Sequence, residues 1–402
     1  MERIRERLRS LKQGKHSKES LPPPPPCLPD ERPRPLTAAP CAPAATANSL
    51  FFQRVPPEIR RRILVEAFGE RTLHLDVRLE HPLRKTRANG KNGVNPRAQR
   101  HANVQLFHRD LRDPKQPREW TWWSSVCHRN FPSWNFSLPP PGCGLFEDPA
   151  NDTCRTASGG ALHYCESYPG TMPCKCFIGV LPWLLACRQA YIEGIDVLYA
   201  TNRLHIAHAG ILINLPRLLT PGRLHMIRDV ELLWSLCLSS SGADREWTTG
   251  VEEDQFRDVN DRLVMLSYIP RILPNLQYLH LSLTDAKWAW KPMLDLCGQE
   301  LYDATETILR SIDTVVLMQL AQLRECRISL PTTLYMTRKK TEKNEDIIWA
   351  RKATNELEAL WRTIDLTATF TQPTAERRNN VEGYWILHGE QEMENPMIME
   401  AW

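Results

Sequence analysis

From residue 49 onward the chain alternates between two hydrophobic periodicities. In SLFFQRVPPEIRRRILVEAFG, Ile59, Ile63 and Ala67 recur every four residues with Leu64 and Phe68 beside them. That spacing predicts a helix with one apolar face and with Arg60, Arg61 and Arg62 on its wet side. Pro56 and Pro57 suit the first turn, whose amides have no intrahelical acceptor, and Gly69 can end the helix. The next segment, TLHLDVRLEHP, switches to a period of two over residues 73–79. It predicts a strand with one buried face. VLPWLLACRQAYIEGIDVLYATNRLHI then returns to helical spacing, with Leu184, Cys187, Tyr191, Ile195 and Leu198 on one face, a turn at Asn202 and a short strand in RLHI.

The second half repeats. Ile227, Val230 and Leu232 lie in IRDVELLW; Leu276, Leu279 and Leu281 lie in LQYLHLSL; Leu323, Cys326 and Ile328 lie in LRECRISL. Each is an L-x-x-L-x-L-like strand, and the units begin 49 and 47 residues apart (Ile227, Leu276, Leu323). Amphipathic helical stretches, DRLVMLSYIPRIL and TILRSIDTVVLMQLAQL, fill the gaps. Strand–helix alternation predicts an α/β fold with a mainly parallel sheet. The period is almost double the ~20–29 residues of leucine-rich repeats, so the half is leucine-rich-repeat-like and irregular. A helix over 347–364 and a strand in GYWILHG are expected to close the sheet. The expected organisation is one composite domain over 49–390, with a long Cys- and Trp-containing insertion loop at 82–175 and a βα repeat-like part over 225–390. Leu184, Tyr191, Ile195, Leu198, Val230, Leu232, Leu279 and Leu281 are expected to be buried. Residues 1–48 read as a disordered, Pro-rich basic leader and 391–402 as a weakly ordered tail. Five prolines at 22–26 favour an extended polyproline II tether.

Composition narrows the class. Hydrophobic residues at 42% and charged residues at 24% are ordinary for a globular chain, and 13 Trp imply several broad aromatic surfaces in use. A net charge of +4 is too mild to imply nucleic acid by itself. Ten Lys or Arg against two Asp between positions 84 and 118 form a basic stretch, read as a solvated loop. The N-terminus has no apolar core of a secretory signal, and Glu2 and Glu6 interrupt the positive charge expected of an organelle presequence. The longest apolar run, 176–187, is far short of the ~20 residues a membrane span needs. The expectation is a cytoplasmic or nuclear protein whose 12 Cys are reduced thiols.

Candidate chemistry is sparse. No P-loop, dinucleotide-binding, nucleophile-elbow or H-E-x-x-H pattern occurs, so no residue is assigned a catalytic or cofactor role. A Cys- and His-rich stretch offers Cys127, His128, Cys143, Cys154, His163, Cys165, Cys174 and Cys176. Thiolates and imidazoles are the ligands zinc prefers, and Cys154, His163, Cys165, Cys174 and Cys176 are the weak candidates for a structural site. Their C-x-C and H-x-C spacings are not those of paired zinc knuckles. The cluster Trp120, Trp122, Trp123 and Trp134 is read as pinning a long loop onto the domain, and His74, His205 and His280 as structural residues on strands.

Two segments carry a family resemblance. FFQRVPPEIRRRILVEAFG resembles the L-P-x-E-[IL] opening shared by F-box domains and by a large group of ascomycete proteins containing a domain of unknown function. Cys187, Arg188, Gln189, Tyr191, Glu193, Leu198, Tyr199 and Asn202 match that group's second hallmark, C-R-Q-x-Y-x-E-x-x-x-x-L-Y-x-x-N, and V-C-H-R at 126–129 is similar to one subgroup. The F-box relation implies an adaptor: the N-terminal helix, through Val55, Ile59 and Ile63, would bind the linker subunit of a cullin-type ubiquitin ligase, and the C-terminal repeat would recruit substrate. F-box domains continue as about three helices, whereas here a strand follows the first. The function expected is a non-catalytic protein-interaction module with protein partners and no membrane. The alternatives are a zinc-stabilised nucleic-acid or chromatin binder, from the Cys/His stretch and the basic stretch, and an enzyme with a dispersed site.

Overall fold

The structure, a computed structural model, describes residues 26–29, 49–82, 113–129, 149, 170–171, 174–207, 209–235, 266–284, 299–319, 322–341, 349–351, 358–364 and 383–389. The expectations for the tail at 391–402, for nearly all of the leader and for most of the 82–175 insertion fall outside these residues.

The three L-x-x-L-x-L units become adjacent parallel strands in matching register. They are β4 (Asp229–Ser235), β5 (Tyr278–Thr284) and β6 (Glu325–Leu330). Val230 stands beside Leu279, which stands beside Cys326; Leu232, Leu281 and Ile328 form the next row. Upstream come β1 (Thr72–Glu80), β2 (Glu119–Val126) and β3 (Arg203–Ile206); downstream come β7 (Trp349–Arg351), β8 (Glu358–Thr363) and β9 (Gly383–His388). All nine join one sheet in the order β2-β1-β3-β4-β5-β6-β9-β8-β7. The run from β1 to β9 is parallel, and the antiparallel pairs lie at the two edges.

Each successive parallel strand is added on the same side of its predecessor. Crossovers of one hand, stepping in one direction, put their connections on one face of a sheet. That face carries Leu73, Val77, Leu204, Ile206, Val230, Leu232, Leu279, Leu281, Cys326, Ile328 and Ile386. Against it pack α5 (Ala209–Leu218), α6 (Pro221–Leu224), α7 (Ile269–Ile272), α8 (Gln299–Gln319) and α9 (Thr332–Thr341), through Ile211, Leu215, Leu224, Ile269, Leu309, Ile312 and Leu334. Of the residues expected in the core, Ile195, Val230, Leu232, Leu279 and Leu281 are buried, while Leu184, Tyr191 and Leu198 are half-buried.

A smaller helical unit sits at the N-terminal end: α1 (Leu50–Arg54), α2 (Pro57–Phe68), α3 (Leu181–Ala186) and α4 (Arg188–Ala200). Leu64, Phe68, Val180 and Val197 form its core, with Trp183 and Leu184 packed on them. The single long helix expected over 181–200 is two helices. Cys187 between them is extended (φ −163°, ψ 170°), and its Sγ accepts the Ala190 amide at 3.4 Å, capping α4. The two helices then fold tightly together because position 194 is glycine: a Cβ there would lie 2.6 Å from Cδ1 of Trp183.

Three further expectations are corrected. The described residues of the 347–364 segment are not helical. They form β7 and β8, where Leu360 enters the core, Trp361 meets Trp385 edge-on at 4.7 Å, and Arg362 bonds Glu306 and Asp313 of α8. Tertiary pairing overrides the helix-forming character of Glu358, Ala359 and Leu360. EWTWWSSV is not loop but β2, antiparallel to β1, with Trp120 packed on the core and Trp122 exposed. Finally, β1 is buried on both faces over residues 73–77, because His74 and Asp76 are as inaccessible as Leu73 and Val77.

Candidate functional site

The face of the sheet opposite the apolar core is polar. Successive strands place His74, His205, Glu231, His280 and Arg327 side by side in one row. Ser125, Asp76, Ser282 and Ser329 flank this row, and apart from Arg327 every one of these side chains is buried. Buried polar groups persist only when hydrogen-bonded. Glu231 is the hub: Arg129 Nη2 donates to both of its oxygens at 2.8 Å, Arg203 Nη1 reaches Oε1 at 3.2 Å, and His205 Nδ1 lies 3.2 Å from Oε2. Burial alone would raise the Glu231 pKa, but the charges of Arg129 and Arg203 and the His205 contact outweigh it and hold the carboxyl well below its usual range. Arg203 also donates to Asp229 at 2.8 Å; there burial outweighs the guanidinium and the Asp229 pKa is raised. The His74 ring stands edge-on to that of His205 at 4.8 Å, and His280 Nε2 lies 2.8 Å from Ser329 Oγ.

Arg129 belongs to the V-C-H-R segment that leaves β2. Its side chain reaches Glu231 on β4, three strands in from the β2 edge, so this segment folds back over the polar face. The histidines read singly from sequence are therefore members of one cluster. The signal that could have joined His280 to Glu231 and Arg327 was the repeat register: if Val230, Leu279 and Cys326 align, so do the residues that follow each of them, whereas His74 and His205 lie on strands outside the repeat. Beyond β5 the same face is more open. Tyr278, Glu325, Arg327, Trp361 and Trp385 are half-buried, and Arg327 Nε donates to Glu325 at 2.6 Å.

The helical unit rotates the expected apolar face of α2: Leu64 and Phe68 are buried and Arg61 and Arg62 exposed as expected, but Arg60 and the Ile59–Ile63–Ala67 row change places. Arg60 is buried, and Leu64 and Phe68 share its face; Ile59 and Ile63 are 49% and 44% exposed, and Ala67 is exposed too. The expected wet and dry sides are thus out by one residue, about 100° around a helix. The cause is Glu193 on α4. Arg60 Nε and Nη2 fork onto its carboxylate at 2.6–3.2 Å, Arg60 Nη1 donates to the carbonyls of Val55 and Phe52, and Gln189 supports Glu193 at 2.6 Å. Burial would raise the Glu193 pKa, but the hydrogen bonds from Arg60 and Gln189 lower it. A second ion pair, Arg61 with Asp196, joins the same two helices at the surface. Asn202 ties the unit to the sheet, accepting from the Arg71 amide and donating to the Phe68 carbonyl at 2.9 Å each. Five of the matched hallmark positions are thereby explained: Cys187 caps α4, Gln189 and Glu193 hold Arg60, Tyr191 accepts from Arg223 at 2.9 Å, and Asn202 joins helix to strand.

The candidates for partner binding lie on this unit, with Val55 half-buried and Ile59 and Ile63 outward. Leu50, Leu181 and Leu185, on α1 and α3, are 62%, 62% and 75% exposed. The zinc candidates Cys154, His163 and Cys165 fall outside the described residues; Cys174 is exposed and Cys176 buried in a short 3-10 turn. Among the described residues no group of three or more metal-ligating side chains converges, and no helix is long and apolar enough to cross a membrane.

Fold and site together define a mixed α/β domain with a mostly parallel nine-stranded sheet and an attached helical unit. A family model described as a domain of unknown function (DUF7730) matches residues 147–323. The matched stretch contains α3, α4 and β3 to β5, and so Glu193, His205, Glu231 and His280; the PPEIR helix and Arg129 lie outside it. No curated protein and no solved structure matches the chain.

Proposed function

We propose that this chain is a non-catalytic protein-interaction module, an F-box-like adaptor whose N-terminal helical unit docks the linker subunit of a cullin-type ligase. The observation that carries this reading is α2 itself, a helix that buries an arginine and turns two isoleucines to solvent. A helix under selection for folding alone places Ile inward and Arg outward. Here the buried Arg60–Glu193 pair orients the helix, and the outward row through Ile59 and Ile63 is left as contact surface. Helix-in-groove recognition uses aliphatic anchors at this i, i+4 spacing. The three helices α2, α3 and α4, although separated in sequence by β1 and β2, pack as one unit, which supports a helical docking module even though a strand follows the first helix. The more open end of the polar sheet face, with Tyr278, Arg327, Trp361 and Trp385, carries the residue types enriched at binding hot spots and is assigned to substrate recruitment.

The test is affinity purification of the tagged protein from its own cells, beside an Ile59→Asp, Ile63→Asp variant. Because both side chains are outward, the variant should fold normally. A linker subunit that accompanies the wild type and is lost from the folded variant supports the adaptor. Its absence from the wild type, or its retention by the variant, refutes it.

A further inference from the structure

Residues 26–29 of the Pro-rich leader meet the folded part through one backbone hydrogen bond. The Leu28 amide donates to the carbonyl of Arg217, at the C-terminal end of α5, at 2.7 Å. The last carbonyls of a helix have no intrahelical donor, and they take one from the following turn or from elsewhere. For Arg217 the next donor in helical sequence would be the amide of residue 221, which is proline and has none. The neighbouring Leu215 carbonyl is already satisfied by the Leu219 amide at 2.8 Å. The chain therefore builds an acceptor that its own next turn cannot fill by the helical pattern, and an extended segment fills it.

The segment is suited to the task. Pro29 holds the preceding residue in extended conformation, and the proline run before Cys27 favours polyproline II, so little freedom is lost on docking. Burial follows the contact: Pro26 and Pro29 are exposed, while Cys27 and Leu28 between them are half-buried. We propose that residues 26–29 are a clasp, and that the end of α5 is a receptor site for a proline-flanked aliphatic segment, occupied in the free protein by the chain's own leader. The clasp holds the leader at residue 28 as well as at α1, with residues 30–48 between. This does not depend on the adaptor reading, since neither α2 nor the polar sheet face takes part.

The test uses the full chain and the Cys27 thiol as reporter. Iodoacetamide labelling of Cys27, followed by peptide mass spectrometry, is compared in the wild type, in Leu28→Pro, which removes the donor, and in Leu28→Ala, which removes the side chain. Labelling should be about fivefold faster in Leu28→Pro, the factor one net backbone hydrogen bond supplies, and faster also in Leu28→Ala. Melting temperatures should stay at the wild-type value, because the segment lies outside both cores. Equal labelling in all three proteins overturns the clasp. If a variant melts early, the wild type decides alone. Its Leu28 amide should exchange about fivefold more slowly than in a free peptide of residues 21–35, and equal exchange overturns the proposal.

Discussion

Replacing Glu231 by glutamine keeps its shape and removes the charge that faces Arg129, Arg203 and His205 at 2.8–3.2 Å. The Arg129 and Glu231 side chains are 1% and 0% exposed, so water cannot take over the lost interaction. Breaking a buried pair on one side costs about 3–5 kcal/mol. For a folded part of this size that lowers the melting temperature by roughly 6–20 °C. Arg129→Met should cost less, about 1.5–3 kcal/mol for the lost charged hydrogen bonds, because Glu231 keeps Arg203 and His205. The double variant should lose less than the two single losses added, by at least about 1 kcal/mol, since each substitution removes part of what the other breaks. The pH dependence has a definite sign. Glu231 titrates below its ordinary 4.5, so its contribution is present above that value and is lost as pH falls beneath it. The gap between wild type and Glu231→Gln should therefore narrow below about pH 4.5. Thermal and urea melts of the four proteins measure all of this. If Glu231→Gln melts within about 2 °C of wild type, or Arg129→Met is the more damaging, Glu231 is not the hub of the polar face.

Four other outcomes follow from the same geometry. Ile59→Asp with Ile63→Asp should leave the melting temperature nearly unchanged, whereas Phe68→Ala, on the buried face of the same helix, should cost about 3–5 kcal/mol in a denaturant melt. Leu279→Asp puts a charge at the centre of the sheet and should destabilise by more than about 4 kcal/mol; an unchanged melt would contradict the repeat register. A Cβ at Gly383 would lie 2.1 Å from the Arg362 carbonyl oxygen, so Gly383→Ala should cost about 1–3 kcal/mol and speed amide exchange in β8, which hydrogen exchange reads directly. Glu306 is pulled down to about 2 by hydrogen bonds from Arg362 and Arg338 that outweigh its burial. Its stabilisation, about 1–2 kcal/mol once solvent screening is counted, should be complete above pH 4.5 and fade toward pH 2, a loss that Glu306→Gln will not show.

The repeat was legible because three rows of aliphatic residues share one offset, and burying them on one side leaves little choice of register. The strands β4, β5 and β6 and the parallel sheet came from that pattern, and the closing strand in GYWILH was expected beside it. The helix α2 was legible as a helix but not in its orientation. A periodicity of 3.6 shows that a face exists, and hydrophobicity then chooses Ile59 over Arg60; the choice fails because Glu193, 133 residues away, neutralises the arginine inside. The helix expected at 347–364 failed for a similar reason. Nothing local in NELEALWR says that Gly383 and Trp385 will lie alongside as an antiparallel strand. Arg129 was legible only as part of a short familiar motif, because its partner lies 102 residues further on.

In two of these places, α2 and the polar face of the sheet, a rule of hydrophobic pattern is broken. On α2 a charged side chain is buried and aliphatic ones are outward; on the sheet, carboxylate, imidazole and hydroxyl groups are buried where a packed face would carry aliphatics. Neither inversion is what stability alone would select, since replacing buried ion pairs by packed hydrophobic residues is often neutral or stabilising. They differ in what they leave at the surface. The Glu231 carboxylate is paired by Arg129, Arg203 and His205 and ties the V-C-H-R segment over the sheet, so its consequence is to set where that segment lies. The Arg60–Glu193 pair satisfies itself and leaves Ile59 and Ile63 without a packing role in the described fold. Departures from consistent patterning concentrate at functional sites. Of the two, α2 is the one that leaves aliphatic side chains outward with no packing role among the described residues, and that is why the docking proposal rests there.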